Sequence, residues 1–598
     1  MIRPIRIAML CAALCAAGCA KESASSLTHT GITSQSWQSD NRCKASGQTL
    51  FFSFRASGRW QAECGASWCR LDPESGKAGT AMLRVEVDPN ATGSERSATV
   101  VLRVTGSSAQ ASFRIRQAGD DSELGQYTEV NEWVADYMSK NYLWNEPVGE
   151  LSLDWSDDYD VFLRRILEGV AACKGADGRE LNHDDGHWTD GRRDYFYSYI
   201  EGPEPASASA LHPTRASDGR TTGTGVRLAR CVRLTGTDRT IYGLAIYAIA
   251  PGSPAERAGL RRGMLVSRVD GETVTAANFA GLLGRLCDGP AVRVQLDRVV
   301  WDAGGRFAAL EPIGERELTA ETYADPAVYR VCANDIGGKR VGYLLYMSFS
   351  SEDDQSLIEA FDELRGADEL ILDLRYNGGG SVRSSTLLST LIAGESRRDR
   401  IYCKLTYNAR RTQAGESGCY RIGNREVPDG TGDYAPLETA LPSALGLERV
   451  YVLATGATAS ASELVINGLR GMGIDVRLVG SRTNGKNVGM EGFRNRTVGG
   501  ESYTFMPITF YSENALGFRD YGDGFLPDLA VDENHYPEEF ATTGDACYAA
   551  AARWIRTGDK PAAQRAAARA PRSTALAPAG EPHSRGRAPR GSEVYLDR

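Results

Sequence analysis

Leu370-Ile371-Leu372-Asp373-Leu374 runs directly into Arg375-Tyr376-Asn377-Gly378-Gly379-Gly380. A short apolar run that ends in a glycine cluster reads as a strand buried on both faces, the kind found inside a parallel sheet. The same style recurs on either side. Residues 341–346 read as a strand, and residues 356–364 as a helix with Leu357, Ile358, Phe361 and Leu364 on one face. Residues 382–392 are a further helix, 450–454 a strand, 460–469 a helix and 476–480 the next strand. Strands alternating with amphipathic helices predict an α/β domain with a mostly parallel sheet and right-handed crossovers over residues 325–535.

In such a sheet, ligands gather outside the carboxyl ends of the strands. Three unusual segments fall there: the glycine run after Leu374, Thr458-Ala459-Ser460-Ala461-Ser462-Glu463 after Ala454, and Asn484-Gly485-Lys486 after Gly480. If the last two strands are neighbours, their ends lie ~5 Å apart, and Ser460 and Lys486 can meet although 26 residues separate them. No histidine occurs between His212 and His535, so a serine–histidine pair has little material. A lysine can replace histidine as base only as the free amine, which requires desolvation. The amides of Gly379 and Ala461 would then face the developing oxyanion, and a serine at a helix start gains from the dipole there. Plainer readings stand beside this one. Ser460-Ala461-Ser462-Glu463 fits the S-x-x-E capping box, the glycines fit a flexible turn, and Lys486 fits a solvated loop.

The rest of the 598-residue chain is multidomain, with length for three to five domains. Apolar residues at 42% and charged residues at 24% are ordinary for a soluble protein, and a net charge of −9 disfavours a nucleic-acid partner. Arg3, Arg6 and an apolar run over residues 7–17 suit a signal peptide and are too short for a membrane span. The run ends in Ala16-Ala17-Gly18-Cys19, which resembles a lipoprotein cleavage site, so residues 1–19 are expected to be a lipoprotein signal peptide in which Cys19 becomes the lipidated N-terminus. A plain secretory signal is the alternative. Export permits disulfides, and Cys403 and Cys419, flanking a basic polar segment, could form a staple; unpaired cysteines are equally compatible. The cysteines show no zinc spacing. His183-Asp184-Asp185-Gly186-His187 suggests a turn more than a metal site, and no metal or other cofactor is expected.

Residues 28–120 alternate or run apolar at 50–54, 81–87, 98–104 and 111–115, between turn-forming clusters. This predicts an all-β, immunoglobulin-like sandwich. Trp60, Trp68, Leu71-Asp72-Pro73-Glu74-Ser75-Gly76 and the ending Ile115-Arg116-Gln117 resemble a BACON domain. That resemblance implies a spacer attached to Bacteroidetes surface proteins, with carbohydrate or mucin as a partner if Trp60 and Trp68 are sugar platforms rather than core residues. Residues 123–215 read as a helical segment, with Val130, Trp133, Val134, Tyr137 and Met138 at helical spacing and a second helix over 161–170. Residues 221–300 resemble a PDZ domain through Gly223-Thr224-Gly225-Val226, Pro251-Gly252-Ser253-Pro254-Ala255-Glu256-Arg257-Ala258-Gly259-Leu260 and Gly263-Met264-Leu265-Val266-Ser267-Arg268-Val269-Asp270-Gly271. Glycines there let backbone amides converge on a terminal carboxylate, and the adjacent strand edge can accept an extended peptide. Residues 560–598, with eight basic and three acidic residues, read as a disordered basic tail.

The PDZ-like stretch, Asp373-Leu374-Arg375-Tyr376-Asn377-Gly378-Gly379-Gly380, Thr458-Ala459-Ser460-Ala461-Ser462-Glu463, Gly485-Lys486 and Gly524-Phe525-Leu526-Pro527-Asp528 occur in the order that resembles the C-terminal processing peptidases, or tail-specific proteases. The resemblance implies a serine peptidase with Ser460 as nucleophile, Lys486 as general base and Gly379 and Ala461 as oxyanion donors. It further implies unfolded proteins or peptide C-termini as substrates. Many relatives place a glutamine four residues after the lysine, where this chain has Met490, so the group orienting Lys486 is open; Ser462 and Glu463 are candidates. The expected setting is the cell envelope, as a lipid-anchored outer-membrane protein facing periplasm or cell surface. The rival readings are a non-catalytic surface lipoprotein that binds peptide or glycan, and a histidine-based peptidase that would need His183 or His187 beside Ser460.

Overall fold

The structure, a computed structural model, describes residues 32–34, 40–106, 110–120, 127–189, 191–202, 220–236, 239–303, 306–416, 418–423, 427–428, 434–435, 441–532, 536–561, 574–575 and 594–595. Cys19, the signal segment 1–19 and His212 and His535 lie outside the described residues. The chain divides into two compact units, Met1–Thr128 with Glu150–Asp157, and Glu129–Gly149 with Asp158–Arg598.

The first unit is a sandwich of two sheets. One holds Ile32–Ser34, Gln48–Ala56, Gly79–Val87 and Cys69–Asp72; the other holds Asp40–Cys43, Gln110–Gln117, Arg96–Val104, Trp60–Cys64 and Ser75–Gly76. Period-2 alternation puts Leu50, Phe52 and Phe54 of one sheet and Val100, Leu102, Phe113 and Ile115 of the other into one core. Trp60 belongs to that core, edge-on to Phe54 at 4.9 Å, so its ring is packing material. The face of Trp68 is covered by the Arg96 guanidinium at 4.3 Å.

In the second unit, helices Thr128–Asn141 and Tyr159–Ala172 fall where the periodicity predicts them. The rest of 123–215 departs from the helical expectation where it is described. Gly186–Thr189 pairs with Arg192–Phe196, and Tyr199–Glu201 pairs with Glu501–Met506. Trp188, Tyr195, Phe196 and Tyr197 are aromatic residues that favour a pleated, half-buried surface.

Residues 226–319 form an antiparallel sheet, longer than the expected boundary at 300. It is built from β1 (Val226–Thr235), Thr240–Ile249, Leu265–Val269, Ala291–Trp301 and Phe307–Thr319. Helix α1 (Phe279–Asp288) packs Phe279, Leu282 and Leu286 onto Val226, Leu244 and Ile246. In the loop before β1, Gly225 has φ +94°, and a Cβ there would sit 2.1 Å from the Ser253 side chain, so only glycine fits. Ala255 N donates to Thr224 O (2.8 Å) and Ala250 N to Gly225 O (2.9 Å), which fixes the loop at Gly223-Thr224-Gly225-Val226.

The α/β sheet runs Val328–Ile336, Lys339–Tyr346, β2 (Glu369–Asp373), β4 (Arg449–Ala454), β5 (Asp475–Gly480) and Leu529–Ala530. Its first pair is antiparallel and the rest are parallel. Strands β4 and β5 are neighbours, in register from Arg449↔Asp475 to Ala454↔Gly480. Between β2 and β4 in the chain come β3 (Gly380–Ser381) and helix α2 (Val382–Ala393). Helix α3 (Ala461–Gly471) follows β4, and α2 and α3 bury Leu388, Leu391, Leu464 and Val465 with Leu372 and Val452 on one face. Helix α4 (Ala546–Thr557) covers the other face, packing Cys547, Tyr548, Ala551, Trp554 and Ile555 on Tyr343, Ile371 and Leu453.

A second sheet wraps the glycine end of this layer and includes β6 (Val488–Met490), Ile508–Glu513, Ile401–Tyr407 and Gly418–Arg421. In its hairpin Cys403 pairs with Tyr420 and Lys404 with Cys419, so the two cysteines point to opposite faces, Cys403 buried and Cys419 exposed. A staple between them is thereby excluded in this register, because a disulfide needs converging Cβ vectors. The basic tail, expected to lack fixed structure, contributes two short strands where it is described, β7 (Thr574–Ala575) and β8 (Val594–Tyr595). Extended backbone groups there find partners on existing strand edges, which a compositional reading does not capture.

Candidate active site

The glycine run is held from below by buried charge. Arg375 and Asp373 are buried, and the Arg375 guanidinium donates to Asp373 (2.6 Å) and to Asp545 (2.6 Å), the residue that caps α4. Tyr343 OH completes the cluster with a bond to Asp373 Oδ2 at 2.7 Å. From the antiparallel sheet, Arg262 donates to Tyr376 OH at 2.9 Å. Asn377 then ties the loop to its neighbours. Its Nδ2 donates to Tyr346 O (3.0 Å), and its own carbonyl accepts from Ala459 N (3.2 Å) and Ser462 Oγ (2.9 Å). Its Oδ1 accepts from Gly379 N at 2.9 Å, so that amide is occupied in this state. Ala461, as the first residue of α3, offers an amide with no intrahelical acceptor.

Ser460 stands between β4 and α3 with φ +62° and ψ −114°, a left-handed conformation that costs a non-glycine residue about 1–3 kcal/mol. It is 1% exposed, and its Oγ makes no hydrogen bond among the described residues. That oxygen faces the N3 amide of Glu463 in the arrangement of a capping box, yet falls short of a hydrogen bond to it. Glu463 supplies the other half of the box, accepting from Ser460 N at 3.0 Å.

Glu463 does more than cap. The same oxygen, Oε2, accepts from Lys486 N at 2.8 Å, while Oε1 accepts from Thr483 Oγ1 (2.6 Å) and Gly485 N (2.7 Å). One buried carboxylate thus holds the backbone of Ser460 and that of Lys486, bringing their nitrogens within about 6 Å of each other. Burial pushes the Glu463 carboxyl from 4.5 up to about 7, against the pull of the four donors. The spacing signal S-x-x-E is in the sequence, but the bridge to residues 483–486 exists only once β4 and β5 are neighbours.

Lys486 is 1% exposed. Its Nζ lies 3.8 Å from Met490 Sδ and 4.8 Å from the centre of the Tyr197 ring. Tyr197 OH in turn donates to Asn484 Oδ1 at 2.8 Å, and Asn484 N bonds Thr458 O at 3.0 Å. Neither candidate orienting group approaches the amine by a described bond: Ser462 Oγ serves Asn377, and Glu463 serves three backbone amides and the Thr483 hydroxyl. Tyr197 and Met490 are the described neighbours of the amine. Tyr197 comes from a segment 289 residues upstream of Lys486, and its one sequence signal is the aromatic run Tyr195-Phe196-Tyr197.

The expected residues Ser460, Lys486, Ala461 and Gly379 therefore converge around Glu463 and Asn377, with the hydroxyl and the amine not hydrogen-bonded to each other. Gly223, Thr224, Gly225 and Val226 belong to the antiparallel sheet. His183 stacks on Trp188 and bonds Asp184, and His187 stacks on Tyr195 and bonds Asp194 at 2.9 Å. Among the described residues no group of three His, Cys, Asp or Glu side chains is disposed to hold a metal ion.

Residues 340–531 match the model of Peptidase family S41, and residues 58–118 match the BACON model, described as "Putative binding domain, N-terminal". The carboxyl-terminal-processing protease of Picosynechococcus sp. is 26% identical over 245 residues, 41% of this chain and 50% of that protein. Carboxyl-terminal-processing peptidase 2, chloroplastic, of Arabidopsis thaliana is 28% identical over 186 residues, 30% of this chain and 33% of that protein. The chain thus spans a third to a half of the length of these curated relatives. Among solved structures, a candidate S41 protease from Bacteroides fragilis NCTC 9343 superposes with a TM-score of 0.55 at 25% identity, covering 71% of this chain and 97% of that one. The parallel sheet, its three loops and these matches agree: the chain carries a domain of Peptidase family S41 behind a BACON domain.

Proposed function

We infer that this chain is an exported serine endopeptidase of the C-terminal processing type, acting on unfolded or tail-exposed proteins through Ser460 and Lys486. The observation that carries this reading is the single Glu463 oxygen shared by the backbone of both residues, beside a strained serine whose hydroxyl makes no hydrogen bond among the described residues. Strain and an unspent polar atom are costs that a structural role would not require.

In the proposed reaction, uncharged Lys486 accepts the Ser460 proton as Oγ attacks the substrate carbonyl. The protonated amine then gives that proton to the leaving nitrogen, and water releases the acyl group. Burial withdraws the Lys486 amine from water, which works against its ammonium form. Hydrogen bonds of this kind often tighten only when substrate is bound, which accommodates the missing Oγ–Nζ bond. Ala461 N and an amide of the glycine run receive the oxyanion; for Gly379 this requires Asn377 Oδ1 to share or release its N–H. The loop Gly223-Thr224-Gly225-Val226 and the edge of β1 support a PDZ role in holding the substrate tail. The apolar run over residues 7–17 and Cys19 support export and a lipid anchor.

The test is cleavage of an unfolded protein. Ser460→Ala and Lys486→Ala should each abolish it, and full activity in either refutes the assignment. Activity that survives removal of residues 23–119 but not Ser460→Ala excludes the rival reading of a non-catalytic surface binder.

A further inference from the structure

Strands β3 and β6 flank the candidate active site, one beginning at Gly380 beside the glycine run, the other ending at Met490 beside Lys486. They do not pair with each other. The sheet order is β3, β8, β6, with Gly380↔Val594 and Ser381↔Tyr595 on one side and Met490↔Tyr595 on the other, both parallel. The slot is one strand wide, since neighbouring strands lie ~4.8 Å apart, and the strand that fills it is β8 of the same chain. Its other described piece, β7, pairs antiparallel with the edge of β1, Val232↔Ala575 and Arg233↔Thr574. Strand β1 directly follows the Gly223-Thr224-Gly225-Val226 loop.

We propose that the C-terminal segment of this chain is a tethered occupant of its own substrate path. Val594–Tyr595 fills the slot between β3 and β6, Thr574–Ala575 lies along the edge of β1, and the segment competes with substrates in trans. This rests on the peptidase reading of the cleft and deepens it. Recognition on both sides of β8 is by backbone, so the substrate class is an extended polypeptide selected by lack of structure more than by sequence. On its other side Gly380 lies against Phe349, where a Cβ would meet Phe349 O at 2.0 Å, so only glycine fits at the start of β3. Tethering sets the local concentration of the segment at around a millimolar, so a free substrate must outcompete it.

Two measurements on the full-length chain test this. In Ser460→Ala protein, hydrogen exchange at Val594 and Tyr595 should be at least tenfold slower than in a synthetic peptide of residues 588–598; exchange at the peptide's rate overturns the proposal. With otherwise unaltered protein, Val594→Pro and Tyr595→Pro remove ladder donors from the middle of a sheet. Each should raise the rate on a sub-saturating unfolded substrate about threefold or more, and an unchanged or lower rate overturns the proposal. The two readings fail separately. Protected amides without Ser460-dependent cleavage leave the docked tail standing and sink the peptidase, and Ser460-dependent cleavage with unprotected amides does the reverse.

Discussion

Glu463 has two oxygens and four donors, and that arithmetic decides what a substitution does. Glutamine keeps its size but turns an NH2 either on the Ser460 and Lys486 N–H groups or on the Gly485 N–H and Thr483 hydroxyl that the carboxylate accepts. Glu463→Gln should therefore fold yet lose about tenfold or more in kcat/KM, roughly 1.4 kcal/mol of transition-state stabilisation; unchanged kcat/KM would contradict the bridging role. The pH dependence has a definite sign. With the carboxyl raised from 4.5 to about 7, the folded chain keeps a proton that the unfolded chain releases in that window. The stability from this group is full below pH 4.5 and is lost as pH rises through 7. The Tm difference between the native chain and Glu463→Gln should accordingly shrink from pH 4.5 to 7.5 in calorimetry, and a constant or growing difference would count against it. At this scale Ser460 and Lys486 were legible because each sits in a short motif after a predicted strand. Tyr197 and Met490 were not legible as surroundings of the amine, because only the fold brings Tyr197 to Lys486.

At the scale of elements, the Asp373–Arg375–Asp545 cluster couples the end of β2 to the start of α4 across 170 residues. Removing one partner of a buried ion pair leaves a charge uncompensated, which costs about 3–5 kcal/mol. Asp545→Ala should lose that much in urea unfolding. Asp545→Asn should lose less, since its oxygen can still cap Cys547 N and Tyr548 N; equal losses would show that the cap contributes nothing. The strands β2, β4 and β5 were readable because burial on both faces makes them short continuous apolar runs. Helix α4 carried its own signal, Cys547, Ala551, Trp554 and Ile555 at helical spacing, inside a stretch whose alanine content draws the eye to composition instead. The strands after residue 186 were hidden by the helices before them, where one periodicity was extended past its end.

For the molecule as a whole, two units with separate cores predict two thermal transitions. Trp60 fills only the sandwich core, so Trp60→Ala should destabilise that unit by about 3–5 kcal/mol. The other transition and the cleavage rate should stay where they were. A single shifted transition in calorimetry would contradict this division. That a BACON-like segment precedes an S41-like one was legible from motif order and from changes of periodicity. The destination of the tail was not, because β7 and β8 are specified by the edges that receive them and not by their own residues.

The most direct measurement is the single-turnover rate of peptide release from an unfolded protein substrate. It is made on folded Ser460→Ala and Lys486→Ala chains, with and without the residues after 560, against their Ser460- and Lys486-containing counterparts. General-base and nucleophilic catalysis of this kind contributes about 10²–10⁴-fold, and both substitutions should remove at least that much in either background. A Lys486→Ala chain that cleaves as fast as its parent would contradict the pairing of these two residues.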